Sequence, residues 1–159
     1  MKTTLIQVGK TTNADFQKIT DEYVKRLSHY TQYSVVTIPE LKNTKALTAD
    51  QQRQQEGELI LRQIHEGDHV VLLDEHGKEL RSIELAAWIG KKQNAGTRNL
   101  VFVIGGPFGF SQQVYQRSNE MLSLSRLTFS HQMIRIIFTE HACTHQRDRA
   151  TQRCKFDLP

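Results

Sequence analysis

The stretch Leu100–Phe110, LVFVIGGPFGF, sets a glycine-rich loop directly behind an unbroken apolar run. Leu100, Val101, Phe102, Val103 and Ile104 have the continuous hydrophobicity of a strand buried on both faces of a parallel sheet. Gly105-Gly106-Pro107-Phe108-Gly109 comes at once after them. Glycine lets a backbone approach a ligand closely, and open α/β sheets take ligands at the carboxyl ends of their strands. The loop therefore reads either as a ligand cradle or as a tight strand-to-helix turn. No Gly-Lys-Ser/Thr follows and the spacing is not G-x-G-x-x-G, so the standard phosphate and dinucleotide loops are disfavoured. A second stretch, Met121–Ser130 (MLSLSRLTFS), alternates serine with apolar residues and suits an edge strand or a loop offering hydroxyl and backbone hydrogen bonds. It runs into His131–Phe138 (HQMIRIIF), where Met133, Ile136 and Ile137 resume helical spacing with Arg135 near that face. The two cysteines, Cys143 and Cys154, form no C-x-x-C pair and have no spaced histidine partners. Neither a metal site nor a disulfide framework is expected from them, and both fall outside the expected core.

These stretches need elements to hold them. Thr3–Val8 reads as a first strand ending at Gly9, with Asn13 as the N-cap of a helix through Tyr30 whose stripe of Phe16, Ile19, Tyr23, Leu27 and Tyr30 faces a sheet. Ser34–Ile38 is a second strand. A second helix starts at Thr48 with a capping-box partner at Gln51 and runs to about Ile64; its front half, ADQQRQQEGE, reads as solvated or covered by a partner. His69–Leu73 is a third strand, followed by a turn at Asp74-Glu75-His76-Gly77. Ser82 caps a helix to about Lys92 with Leu85, Trp88 and Ile89 inward, Leu100–Ile104 is the fourth strand, and Ser111 begins a short helix. Successive strand–helix–strand units favour a parallel sheet.

At 159 residues the chain suits one domain with one sizeable core. No apolar run is long enough to span a membrane and the N-terminus has no signal-peptide core, so a cytoplasmic location is expected. The formal charge is +4, and residues 141–159, with four Arg/Lys against two Asp, carry +2 of it. That leaves the body too weakly basic to argue for nucleic acid by charge alone.

Three separated stretches, Leu72-Leu73-Asp74, Ile104–Gly109 and Leu122–Met133 (LSLSRLTFSHQM), together resemble the RlmH, or YbeA-like, family of the SPOUT class, which methylates N3 of a pseudouridine in large-subunit ribosomal RNA. The likeness extends to Val8–Lys10, Tyr23–Leu27 and Glu56–Leu61 and covers roughly residues 1–140. It implies an α/β parallel-sheet SPOUT-type fold with a C-terminal trefoil knot, S-adenosyl-L-methionine as cofactor, ribosomal RNA of the large subunit as substrate, and a homodimer with its active site across the interface. Residue by residue it implies cofactor contacts at Leu73, Gly105, Leu124, Ser125, Arg126, Leu127, Thr128 and Phe129. His131 and Arg135 are candidates for orienting RNA or favouring the deprotonated acceptor, since nearby positive charge favours an anion; the resemblance does not itself assign those roles. Ile134 and Ile137 are expected to contribute to the two-fold interface.

The resemblance stops at Glu140. Residues 141–159, HACTHQRDRATQRCKFDLP, lack the family's closing residues and read as a different reading frame or a divergent terminus, an atypical tail to a domain spanning 1–140. The helix is accordingly expected to fray beyond Glu140 and activity to be impaired. A non-catalytic RNA-binding or ribosome-associated module that keeps the fold is the alternative function.

Overall fold

The computed structural model describes residues 1–143. Five strands form one sheet in the order β2-β1-β4-β3-β5, every neighbouring pair parallel. They are β1 (Lys2–Val8), β2 (Gln32–Ile38), β3 (His69–Glu79), β4 (Asn99–Ile104) and β5 (Glu120–Ser123); the helices between them are α1 (Ala14–Ser28), α2 (Ala49–Leu61), α3 (Ser82–Asn94) and α4 (Gln112–Arg117). A last helix, α5, covers 133–143. The expected run Leu100–Ile104 is the middle strand, buried throughout.

Period-two alternation divides the core between the two faces of the sheet. Ile6, Val70, Leu72, Val101 and Val103 pack with Ile60 of α2 and Val114 of α4. Their neighbours Leu5, Val71, Leu100 and Phe102 pack with Leu85 and Ile89 of α3 and Phe138 of α5. A sheet covered by helices on both faces must be apolar on both, which is why its central strands show no polar break.

Local signals place most helix starts. The Asn13 side chain accepts from the Asp15 and Phe16 N–H groups, and Thr48 and Gln51 close a reciprocal capping box. Ser82 is not a cap: the N-cap is Arg81, whose N–H is accepted by Glu84 Oε2 at 2.8 Å, so the glutamate three residues on fixes the start.

Three other expectations are corrected. The α1 stripe is only partly core, with Leu27 buried but Ile19 41% and Tyr30 43% exposed. The expected turn at Asp74–Gly77 lies inside β3, where the register on β5 shifts so that both Leu73 and Lys78 pair with Leu122. The intervening residues bulge and the strand then resumes. Third, α5 does not fray at Glu140. Ala142 and Cys143 are helical and buried against Leu27, with Tyr23 and Tyr33 packed beside them, so Cys143 belongs to a core cluster. Expectations for residues 144–159 lie outside the described residues.

Candidate active site

The strand ends that point the same way in a parallel sheet gather their loops at one edge, and a concavity opens there. A cavity of about 450 Å³ is walled by Leu73, Asp74 and Glu75 of β3, by Ile104 and the glycine loop behind β4, and by Ser123–Ser125 and Leu127–His131 behind β5. Ile134 of α5 also lines it. That volume falls in the range of small-ligand sites.

The glycine loop is both a tight turn and a cavity wall. Gly109, at φ +77, bridges back to Gly106, donating its N–H to the Gly106 carbonyl at 3.1 Å. A Cβ on Gly105 would stand 3.1 Å from the buried Phe110 ring, so the missing side chain lets the loop lie flat against the core. The serine stretch likewise satisfies both of its readings: Glu120–Ser123 is the edge strand β5, and the residues after it form a loop stitched by its own hydroxyls. Ser123 Oγ donates to the Ser125 carbonyl and Ser125 Oγ accepts from the Leu127 N–H, each at 2.9 Å. Ser130 Oγ accepts from the Met133 N–H and starts α5.

Seven of the eight residues expected at a cofactor site line this cavity: Leu73, Gly105, Leu124, Ser125, Leu127, Thr128 and Phe129. Arg126 does not; its side chain is exposed and pairs with Glu79 at 2.9 Å. His131 lines the cavity at its exposed rim. Arg135 lies elsewhere. It is 1% exposed and donates to the Val8 carbonyl and, at 3.1 Å, to Thr11 Oγ1, tying α5 to the end of β1. Burial lowers its basicity and the nearby Glu40 charge partly restores it.

Two carboxyls here carry more than the sequence indicated. Asp74, read as a turn residue, has a side chain only 8% exposed. Burial would raise its pKa, but Oδ2 accepts from the Tyr115 hydroxyl at 2.6 Å and Oδ1 accepts from the His76 N–H at 2.9 Å, and the His76 ring adds a contact and a charge. The net effect holds Asp74 below the usual carboxylate range, and the same contact, after burial, pushes Tyr115 up to about 12. Glu56, in the supposedly solvated front of α2, is 3% exposed. Its Oε1 accepts from Gln52 while Oε2 has no hydrogen-bond partner among the described residues and sits 2.3 Å from where a Gly106 Cβ would be. Desolvation raises its pKa against the Gln52 hydrogen bond, Glu40 raises it further, and His131 lowers it. The signal that could have found it is Gly57, a glycine inside a helix. Such a residue marks close packing, and a Cβ there would meet Ser111 Oγ at 2.3 Å.

Among the described residues no lysine or arginine lines the cavity; its ionisable groups are Asp74, Glu75 and His131. Such a wall offers little to a phosphate and suits a neutral or cationic ligand. No group of three or more His, Cys, Asp and Glu among the described residues could hold a metal ion.

Known proteins resemble this chain over most of its length. A protein called ribosomal RNA large subunit methyltransferase H from Bacteroides fragilis is 54% identical over 140 residues, covering 88% of this chain and 89% of its own length. Proteins of the same name from Bacteroides thetaiotaomicron and Flavobacterium johnsoniae are 53% and 46% identical over the same coverage. The family described as predicted SPOUT methyltransferase matches residues 1–142, from β1 into α5 and including every wall of the cavity. The chain belongs to the SPOUT methyltransferase family, in its RlmH branch.

Proposed function

We propose that this chain is an S-adenosylmethionine-dependent methyltransferase acting on N3 of a pseudouridine in large-subunit ribosomal RNA. The observation that carries it is the coincidence of the cavity with the glycine loop and the serine loop. Among the described residues its walls are backbone, hydroxyl and apolar groups beside one fixed carboxylate, with no lysine or arginine. These residues fit the cofactor. Leu73, Gly105, Leu124, Ser125, Leu127, Thr128 and Phe129 would hold it, the adenosine against apolar and backbone groups and the amino-acid portion against loop amides and hydroxyls, while Arg126 stays paired with Glu79 outside. When bound, it supplies a methyl group already activated on a sulfonium sulfur.

What remains for the protein is placement and a proton. The loops fix one reactant so that a ring nitrogen can be held in line, and positioning of this kind supplies much of the acceleration. The acceptor nitrogen must lose its proton, and His131, at the rim, is assigned to the RNA side of the site. Arg135 is assigned a positioning role, through its hold on the Val8 carbonyl and Thr11. Leu127, in the cavity lining, is 74% exposed, and Phe108, in the glycine loop, is 47% exposed. Apolar groups left in water at an open site favour a second copy as cover, so the functional unit is a homodimer to which Ile134 and Ile137 contribute. The reading carries the trefoil knot of the SPOUT class with it.

Incubating the chain with labelled S-adenosylmethionine and ribosomes lacking the modification tests this directly. Label should enter one pseudouridine of the large-subunit RNA, mapped by a reverse-transcription stop. Cofactor binding without transfer to ribosomes would overturn the catalytic reading in favour of an RNA-binding module, and transfer to another base would overturn the assignment of N3.

A further inference from the structure

The cavity wall holds one fixed carboxylate that is not among the contacts expected of the cofactor. Asp74 follows Leu73 at the point where β3 leaves its register on β5, and it lines the cavity. Its carboxylate is fixed from two elements, by the Tyr115 hydroxyl of α4 at 2.6 Å and by the His76 N–H and Nδ1 of the bulge, each at 2.9 Å. A side chain 8% exposed and held at three contacts cannot swing away or be fully screened by solvent. Glu75, beside it, is 70% exposed and belongs largely to water. Among the described residues the lining has no lysine or arginine, and the basic group against Asp74 is the exposed ring of His76.

Resting on the cofactor reading above, we infer that Asp74 is a specificity-determining residue that distinguishes the positively charged methyl donor from its neutral spent form. S-adenosylmethionine and S-adenosylhomocysteine share the adenosine, the ammonium and the carboxylate; they differ by one methyl group and one positive charge on sulfur. A fixed carboxylate in the wall attracts the donor and loses that attraction when the methyl group departs, so the product leaves more readily than the donor. A charge within the width of a small cavity, at the effective dielectric of a partly open site, changes affinity by about tenfold. Asp74 acts here by its charge, and the hydrogen bonds from Tyr115 and His76 keep that charge in place.

Calorimetry with both ligands on the full chain tests it. Asp74→Asn keeps the shape and removes the charge. It should weaken S-adenosylmethionine by about tenfold and leave S-adenosylhomocysteine within about twofold of wild type, while Asp74→Glu restores most of the ratio. Glu75→Gln should change the ratio by less than about twofold because its charge is solvated. Should the Asn variant fail to fold, as judged by thermal unfolding, Asp74→Ser gives a second test, since it also removes the charge and leaves a small polar side chain. Equal losses for both ligands, no change for either, or an equal effect from Glu75→Gln would overturn the inference while leaving the cofactor reading intact. If wild type binds neither ligand, the cofactor reading itself falls and this inference with it.

Discussion

Gly77 is the residue on which the cavity's outer wall depends, although it touches no expected ligand. It lies in the bulge of β3 opposite β5, and a Cβ built there would stand 2.5, 2.6 and 2.8 Å from the carbonyl carbon, nitrogen and Cα of Leu122. All three atoms are backbone, so no side chain can turn aside. Relieving the contact to an ordinary carbon separation of about 3.5 Å moves one strand by about 1 Å. Leu122 leads directly into Ser123, Leu124 and Ser125, so the displacement is passed to the cavity wall. Overpacking of this kind costs about 1–3 kcal/mol, a fall in melting temperature of roughly 2–12 °C for a chain of this size. Gly77→Ala should therefore melt earlier and bind S-adenosylmethionine at least about tenfold more weakly, because misplacement by about 1 Å is felt strongly in a site built on positioning. Gly67→Ala is the control. Its Cβ would meet nothing within 4 Å, so it should stay within about 0.5 kcal/mol of wild type. Thermal unfolding and calorimetry on both variants decide the matter. If Gly77→Ala matches Gly67→Ala in both, β5 is not held by close approach to Gly77 and the reasoning fails.

Three further outcomes are expected. Glu56 is raised from its ordinary 4.5 by burial, so its stabilising contribution is complete below that value and lost as pH rises through the raised one. Glu56→Gln should gain stability on wild type as pH rises above about 5 and show no gain near pH 4; denaturant midpoints across that range check it. Glu120 is the opposite case. Burial would raise it, but hydrogen bonds from Lys92, Trp88 and His69 outweigh burial and hold it low, so the stability it adds is present above pH 4.5 and lost as pH falls through its depressed value. Glu120→Gln should lower the melting temperature at pH 7 and converge with wild type in acid. Arg135→Ala strands the Val8 carbonyl and empties a buried site, costing about 2–4 kcal/mol by denaturant unfolding.

The sequence was most informative where a period or a cap enforces one answer. The three central strands, β1, β4 and β3, show unbroken or alternating apolar patterns because both sheet faces are covered, and Asn13, Thr48 and Ser111 cap helices because each offers an oxygen to an orphan N–H. Strand order was not legible, since nothing local in β1 or β4 says that they pair. The cavity walls were named from resemblance to a family; the glycine loop alone left cradle and turn equally open, and it is both.

The misses share one cause, which is that a charged or polar side chain was counted as facing water. Glu56 is buried because Gly57 lets α2 approach Ser111, and Asp74 because the Tyr115 hydroxyl, far along the chain, joins His76 in supplying its hydrogen bonds. Gly57 marks a close approach without saying to what, and the Tyr115 contact leaves no mark beside Asp74. Arg135 shows the consequence most clearly. Placed near that apolar face and given a role toward RNA, it leaves α5 with a stripe of Met133, Ile136 and Ile137 that stops before Glu140. Counted as inward, it begins another stripe, Arg135, Phe138, Thr139 and Ala142, at steps of three and four, and all four are buried. An arginine is permitted there by the Val8 carbonyl at the end of β1, an acceptor 127 residues away in the chain. Once that partner is in place the stripe has no reason to end at Glu140, and α5 runs on to bury Ala142 and Cys143 against Leu27.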